Sequence, residues 1–169
     1  MRGKRAVYLI KKGGRASLGV ALLTFSVIFT GCESDPVGGE GQDLNFQGLA
    51  ALAEAIQDEY RAESIYEKVL EEFGSVRPFS NIIFAEMRHS EAIAGLYQAR
   101  GLEVPEDGWN LDQIPSFSSV AEACQAGVVA EIENAEIYEK YFSLDLPSDV
   151  RRVFENNQAA SLDKHLPAF

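Results

Sequence analysis

Apolar residues recur every three or four positions along four stretches of the chain, which is the period of an α-helix with one buried face. The first helix is predicted from Leu44 to Phe73, with Asp43 as its N-cap and Gly74 as its C-terminal stop. Its stripe consists of Leu49, Leu52, Ile56, Glu59, Glu63, Tyr66, Leu70 and Phe73. Two carboxylates therefore interrupt an otherwise apolar seam.

Three further helices are expected. The second is predicted from Phe79 to Arg100, before Gly101, and a long polar connection over residues 101–117 follows it. The third begins with a capping-box pattern at residues 119–122, and the fourth is predicted to run from about Pro147 to His165. Strand patterns are scarce. The sequence thus predicts an all-α fold, an antiparallel four-helix bundle with a long connection between helices two and three.

A carboxylate and an imidazole interrupt the apolar stripe of the second helix. Glu86 and His89 are three positions apart and share one helix face with Ile82 and Ile93. A buried, unpaired charge costs several kcal/mol, so each of these groups needs a partner. A bound metal ion is one explanation, and a salt bridge or hydrogen bond inside the core is another.

Each of the other helices adds one such group on its own apolar line. Glu59 comes from the first helix, Glu131 from the third and His165 from the fourth. Carboxylate oxygens and imidazole nitrogens together suit iron or manganese. We therefore predict one or two of these ions, with Glu59, Glu86, His89, Glu131 and His165 as the ligands.

Three side chains near this constellation are accessory candidates. Glu63 is either an additional ligand or a solvated flank residue, and Tyr66 and Tyr138 either hydrogen-bond to ligand carboxylates or serve only as core aromatics. Carboxylate bundles with two metals usually add a glutamate three residues before the last histidine. Leu162 occupies that position here, and the adjacent Ser161 faces about 100° away from the direction of Leu162.

Residues 1–31 are interpreted as a targeting segment. A basic stretch without acidic residues precedes an apolar run from Ala16 to Phe29, which ends at Thr30-Gly31-Cys32. This ending resembles the lipobox of bacterial lipoproteins, which implies cleavage before Cys32 and lipid attachment to its sulfur. An ordinary signal peptide and an uncleaved anchor are the alternatives. Residues 32–42 are predicted to be a flexible tether, which leaves residues 43–169 for the bundle.

The net charge and the cysteine content further limit the classes of partner and of stabilising bond that the chain can have. Removal of residues 1–31 leaves 9 of the 15 basic residues and all 26 acidic ones, a net charge of −17. Such a surface repels nucleic acid and attracts cations. With Cys32 lipidated, Cys124 has no partner for a disulfide and is expected to be buried and inert.

The pattern Glu59-x-x-Ala62-x-x-x-Tyr66, followed by Glu86-x-x-His89, resembles the first half of the rubrerythrin and ferritin-like family. Glu131 and Tyr138 repeat the glutamate–tyrosine spacing of Glu59 and Tyr66. The segments 79–82, 86–89, 151–156 and 165–169 are also similar to a bacterial group of that superfamily known only as a domain of unknown function. The resemblance covers roughly residues 48–169 and implies a ferritin-like bundle.

The predicted protein is a lipid-anchored, ferritin-like metal-binding protein of the cell envelope, held at the outer membrane or a periplasm-facing membrane. The activity we expect of it is that of an oxidase or peroxidase acting on small oxidants, and the resemblance itself implies only the bundle. No Cys-x-x-Cys electron-transfer domain is present, so the electron donor would be a separate molecule. A non-catalytic metal-binding or iron-handling protein and a metal-free structural bundle are the alternatives. The expected partners are the membrane, through Cys32, and a second copy of the chain as a candidate homodimer.

Overall fold

The computed structural model describes residues 44–169, and this part of the chain is all-helical, without a strand. The helices are α1 (Phe46–Phe73), α2 (Phe79–Gln98), α3 (Val120–Tyr141) and α4 (Ser148–Ala160). The predicted all-α fold is confirmed for these residues. The targeting segment, Cys32 and the tether predicted above lie outside them. None of the helices described is both long and apolar enough to span a membrane.

Two helix ends differ from the expectation. α1 begins at Phe46 because the Asn45 side chain caps it, accepting a hydrogen bond of 2.8 Å from the Gly48 amide. Asp43, the predicted cap, lies outside the described residues. α2 ends at Gln98, and the turn that follows closes at Gly101, whose φ of 65° favours glycine.

The fourth helix is not the continuous α-helix that the sequence predicts. After Ala160 the chain widens into one π-helical turn, Ser161–His165, in which the Leu166 amide donates to the Ser161 carbonyl. A 3₁₀ turn, Leu166–Ala168, follows it. Predictions from hydrophobic periodicity assume 3.6 residues per turn, so they place Leu162 inward, whereas the structure exposes it.

The core consists of two apolar clusters with a polar layer between them. The first cluster contains Ala51, Leu52, Ala55, Ile56, Ile93, Leu96, Tyr97, Tyr138, Tyr141, Leu146, Val150 and Phe154. The second contains Ala62, Tyr66, Val69, Phe79, Ile82 and Ala123. Glu59, Glu86 and Glu131 each lie between the two clusters along their helices, and all three are at most 2% exposed. The fold therefore places its carboxylates in the middle of the core.

Polar contacts fix how the elements pack around this layer. α1 packs against α2 and α3, and α4 also packs against α2 and α3. α1 and α4 make no comparable contact with each other. Arg100 joins the end of α2 to the start of α4 through Asp149, at 2.9 Å. The connection between α2 and α3 lies along α1, where Gln57 donates to the Glu106 carbonyl and Glu72 accepts from the Phe117 amide.

Candidate metal centre

Two overlapping groups of carboxylates and imidazoles occupy the polar layer. The first, called the Glu59 half, contains Glu59, Glu86 and His89. The second, called the Glu131 half, contains Glu86, Glu131 and His165. The ligand atoms of each half lie within 4.8 Å of one another, which is close enough to surround one ion. The structure thus brings together all five residues that the sequence proposes as ligands, and metal binding by them stays a prediction.

Glu86 belongs to both halves because its two oxygens face different histidines. Its Oε2 lies 3.1 Å from Nδ1 of His89, and its Oε1 lies 2.9 Å from Nδ1 of His165. The two imidazole rings are stacked, with 5.4 Å between their centroids. A carboxylate in this position can bridge two cations.

Glu59 and Glu131 complete the two halves from opposite helices. Glu59 Oε2 lies 3.3 Å from Nδ1 of His89, and Glu131 Oε2 lies 3.2 Å from Nδ1 of His165. Each half therefore offers two carboxylate oxygens and one imidazole nitrogen. A hard oxygen set with one nitrogen suits a first-row divalent metal better than calcium, which prefers six to eight oxygens.

Two buried tyrosines hold the outer carboxylates. The Tyr66 hydroxyl donates to Glu131 Oε1 at 2.5 Å, and the Tyr138 hydroxyl donates to Glu59 Oε1. Burial raises the pKa of both phenols well above the ordinary value, so each keeps its proton and can act as a donor. Each tyrosine therefore supports the carboxylate of the other helix, which is the hydrogen-bonding alternative considered from the sequence.

Asn134 is a part of the centre that the sequence analysis missed. Its amide nitrogen donates to Glu59 Oε1 at 3.1 Å and to Asp58 Oδ2 at 3.0 Å, and its oxygen accepts from the Ser161 hydroxyl at 2.7 Å. The predicted seam of α3 passes through Glu131 and its apolar neighbours, so it did not include this residue. Asn134 lies three residues after Glu131 and so shares its helix face, and this spacing was the available signal.

Glu63 belongs to neither half. It is half-buried, and its Oε1 accepts a hydrogen bond of 2.6 Å from the hydroxyl of Ser90, the residue after His89. Burial raises the pKa of Glu63, and the hydrogen bond from Ser90 opposes that rise. Glu63 therefore adjoins the Glu59 half without placing an atom in it.

The segment after α4 presents Ser161, not Leu162, beside His165. The expectation that Leu162, three residues before His165, faces inward was wrong. Ser161 and His165 are buried, whereas Leu162 is 42% exposed. The physical reason is the π turn, because its wider i→i+5 turn rotates the position three residues before His165 away from His165's face, while the position four residues before it stays on that face. The inward position is therefore occupied by a hydroxyl.

Two buried carboxylate oxygens in this centre lack a hydrogen-bond partner, Glu59 Oε2 and Glu86 Oε1. Each is close to an imidazole nitrogen, at 3.3 and 2.9 Å, but the hydrogen bond of that nitrogen goes to a different carboxylate oxygen, Glu86 Oε2 for His89 and Glu131 Oε2 for His165. Buried acceptors are normally satisfied. A cation among these residues would satisfy both oxygens, so the side chains present fit a metal ion.

The two histidines carry the counter-charge of the carboxylates. Burial lowers the pKa of His89, but the Glu59 and Glu86 carboxylates outweigh burial and raise this pKa to about 10. Burial also lowers the pKa of His165, but the Glu131 and Glu86 carboxylates outweigh burial and raise this pKa to about 9. The pKa of Glu59 is raised mainly by burial. The centre therefore holds protons firmly, and a metal ion must compete with them.

Comparison with protein-family models gives no match, and comparison with curated proteins gives none either. Among solved structures, the chain is similar to the crystal structure of a conserved hypothetical protein, rv2844, from Mycobacterium tuberculosis. The TM-score is 0.59 at 19% sequence identity, and the match covers 68% of this chain and 89% of the mycobacterial one. At this identity the likeness concerns the fold alone, and the resemblance to the ferritin-like family stays a prediction.

Proposed function

We propose that this chain is a ferritin-like metal-binding protein whose centre binds two ions of iron or manganese, bridged by Glu86. The observation that carries the proposal is the pair of buried oxygens without hydrogen-bond partners, Glu59 Oε2 and Glu86 Oε1, which lie within the two ligand groups. Three carboxylates and two imidazoles form the ligand set that these metals accept.

The order in which the helices meet the two apolar clusters supports a ferritin-like, antiparallel arrangement. α1 passes from the first cluster to the second, whereas α2 passes from the second to the first. α3 follows the order of α2, and the final segment, from α4 to the residues after it, follows the order of α1. The parallel helices α2 and α3 do not pack against each other, and one long connection joins them, as the single long crossover does in ferritin-like bundles.

The proposed activity is that of an oxidase or peroxidase acting on small oxidants. Bound iron or manganese would supply the electrons for the reduction of peroxide or dioxygen. The chain itself contributes position and exclusion of water. Tyr66 and Tyr138 orient the outer carboxylates, Glu86 sets the spacing of the two halves, and the apolar clusters on either side keep bulk water out. Each half supplies three protein atoms, which leaves coordination positions open for a small molecule.

The same proposal includes a lipid anchor at Cys32 and a location in the cell envelope. It is supported by the sequence Thr30-Gly31-Cys32 and the glycine-containing tether after it. Cys32→Ser should release the protein from the membrane fraction, with Cys124→Ser as the matched control. A Cys32→Ser protein that stays with the membranes would contradict the anchor and leave the metal proposal unaffected.

A metal-free bundle is the second candidate, and one observation favours it. The imidazole nitrogens lie 2.9 to 3.3 Å from the carboxylate oxygens, and their raised pKa values allow protons to take the place of cations. The same residues would then pair with one another and serve only to specify the fold.

Elemental analysis of the full-length chain separates these candidates. We expect close to two equivalents of iron or manganese in the wild type and none in Glu86→Gln, because this residue is shared by both halves. Glu91→Gln is the matched control, since Glu91 is an exposed glutamate on the same helix. A wild type that stays free of metal after supplementation, with unchanged thermal stability, would favour the metal-free bundle.

Turnover is tested with the reduced, metal-loaded wild type. With a chemical reductant in excess as the electron donor, loss of added peroxide over many equivalents, with matching consumption of the reductant and absent in Glu86→Gln, is expected of a peroxidase. A single stoichiometric oxidation without further turnover would instead assign a metal-handling role to the same centre.

A further inference from the structure

The orientation of the Asn134 side chain follows from its neighbours. It lies between Asp58 and Glu59 and is only 3% exposed, so its polar atoms depend on protein partners. Ionised carboxylates accept hydrogen bonds and cannot donate them. The amide nitrogen must therefore face the two carboxylates, and the amide oxygen must face away from them.

The π turn supplies the partner for that oxygen. The Ser161 hydroxyl donates to Asn134 Oδ1 at 2.7 Å, and Ser161 is completely buried. Because the wide turn keeps Ser161 on the face of His165, one segment both contributes a candidate ligand and fixes the Asn134 amide.

This amide has a specific consequence for Glu59. Glu59 Oε1 accepts from both Asn134 and the Tyr138 hydroxyl, and Tyr138 is in turn held by a hydrogen bond of 3.1 Å from Asn157. Glu59 Oε2 has no hydrogen-bond donor. The two donors on one oxygen leave the other as the only atom available to a ligand.

Glu131 is held differently. Tyr66 donates to its Oε1, and its Oε2 lies 3.2 Å from Nδ1 of His165 in hydrogen-bonding geometry. No second donor comparable to Asn134 acts on it within residues 44–169. A residue that positions Glu59 should therefore affect one half of the centre and not the other.

We propose that Asn134 is a positioning residue that restricts Glu59 to a single ligand oxygen, Oε2, and that the Ser161 hydroxyl keeps Asn134 in the orientation this requires. The inference rests on the proposed metal centre. Asn134 itself does not contact the ion. It affects the metal affinity of the Glu59 half because its hydrogen bond sets the orientation of the Glu59 carboxylate.

The test uses Co²⁺ as the probe in the full-length chain, because its visible spectrum reports both binding and coordination. Asn134→Ala is made in two backgrounds: His165→Ala, which leaves the Glu59 half, and His89→Ala, which leaves the Glu131 half. In the first background we expect Co²⁺ affinity to fall by about 10- to 100-fold, the usual effect of losing a residue that orients a ligand. In the second background we expect no change.

Two further variants keep the test decisive. Ser161→Ala retains the asparagine and removes the donor to its oxygen, so a smaller loss confined to the same half is expected even if Asn134→Ala does not fold. Asn156→Ala is the matched control, because Asn156 is an exposed asparagine on α4. It should leave both halves unchanged.

The outcomes are distinguishable. Equal losses in both backgrounds would show a general structural role and overturn the inference, as would unchanged affinity and spectrum in the Glu59 half. A wild type that binds no Co²⁺ at all would overturn the metal centre and this inference together. A loss confined to the Glu59 half with an altered Co²⁺ spectrum is the expected result.

Discussion

The two halves of the candidate centre have the same ligand types but different supports. Both contain one outer glutamate, one histidine and the shared Glu86. In the Glu59 half the outer glutamate accepts from a tyrosine and from Asn134, and the histidine belongs to a regular helix. In the Glu131 half the outer glutamate accepts from a tyrosine, and the histidine belongs to a π turn.

The helices also contribute unequal numbers of groups to the two halves. α2 supplies a carboxylate and an imidazole three residues apart, whereas the segment after α4 supplies only His165. Glu86 must therefore serve both halves. Ser161, which occupies the remaining inward position, contributes to the centre through Asn134 instead.

The largest expected effect comes from removing one histidine at a time. His89→Ala should eliminate the cation of the Glu59 half, and His165→Ala that of the Glu131 half, because each half then retains only two carboxylates. Elemental analysis should give close to one equivalent for each variant and two for the wild type. Lys164→Ala, an exposed change beside His165, is the control. If either single variant lost both ions, the two halves would not be independent sites.

The pH dependence of the metal-free protein should separate the halves next. The folded-state pKa of both histidines lies above the ordinary value of about 6.5, so the folded state binds these protons more tightly than the unfolded state. Their stabilisation is complete below that pH and is lost as pH rises through about 9 for His165 and about 10 for His89.

The melting temperature of the metal-free protein, measured from pH 6 to pH 10, should therefore fall above about pH 6.5, with the loss from the Glu131 half ending first. His165→Ala should make the fall shallower up to about pH 9, and His89→Ala should make it shallower and end it near pH 9. Metal affinity should change in the opposite direction and rise with pH, because the imidazoles must lose their protons to bind. A melting temperature that rises over this range would contradict the ion-pair description.

The tyrosines provide a smaller and more direct comparison. Tyr138→Phe and Tyr66→Phe each remove one buried donor to an ionised carboxylate, which typically costs about 1.5–3 kcal/mol. The cost should be larger for Tyr138, because its hydroxyl also accepts from Asn157. Chemical denaturation of the metal-free variants measures both values. Tyr97→Phe is a suitable control, since Tyr97 is a buried tyrosine of the first cluster away from the carboxylates.

Much of the centre could be predicted from the sequence because its candidate ligands interrupt apolar stripes. A charged residue on a buried line needs a partner, and this argument identified Glu59, Glu86 and Glu131 without a structure. The spacing of three residues between Glu86 and His89 predicted that they share one helix face. The four helices followed from periodicity and from capping residues such as Ser119, which accepts from the Glu122 amide as expected.

The parts that could not be predicted depend on local geometry. The π turn after Ala160 has no periodic signature, so the outward rotation of Leu162 was missed. Asn134 was missed because an amide on a helix is usually solvent-exposed, and its burial depends on carboxylates that are distant in sequence. Glu63 lies on the stripe of α1, yet its hydrogen bond to Ser90 keeps it beside the Glu59 half.

The smallest expected effect concerns the packing behind the Glu131 half. A Cβ atom at Gly127 would lie 2.5 Å from the nearest atom of the Phe169 ring. The centroid of that ring is 6.0 Å from the ring centroid of Tyr66, whose hydroxyl donates to Glu131. Gly127→Ala should therefore displace the ring and weaken the Glu131 half while sparing the Glu59 half. Overpacking typically costs about 1–3 kcal/mol, and the lower end is expected because Phe169 is only half-buried and can move.

Gly95→Ala is the matched control for this change. Gly95 is also a helical glycine, but its Cβ would meet no atom within 4 Å, so the substitution should stabilise the protein by about 0.5–1 kcal/mol through helix propensity alone. Both variants gain this propensity, so the difference between their unfolding free energies isolates the contact with Phe169. Equal stabilisation by the two substitutions, with unchanged Co²⁺ affinity in the His89→Ala background, would mean that the Phe169 ring does not support Tyr66 and that the Glu131 half depends on the tyrosine hydrogen bond alone.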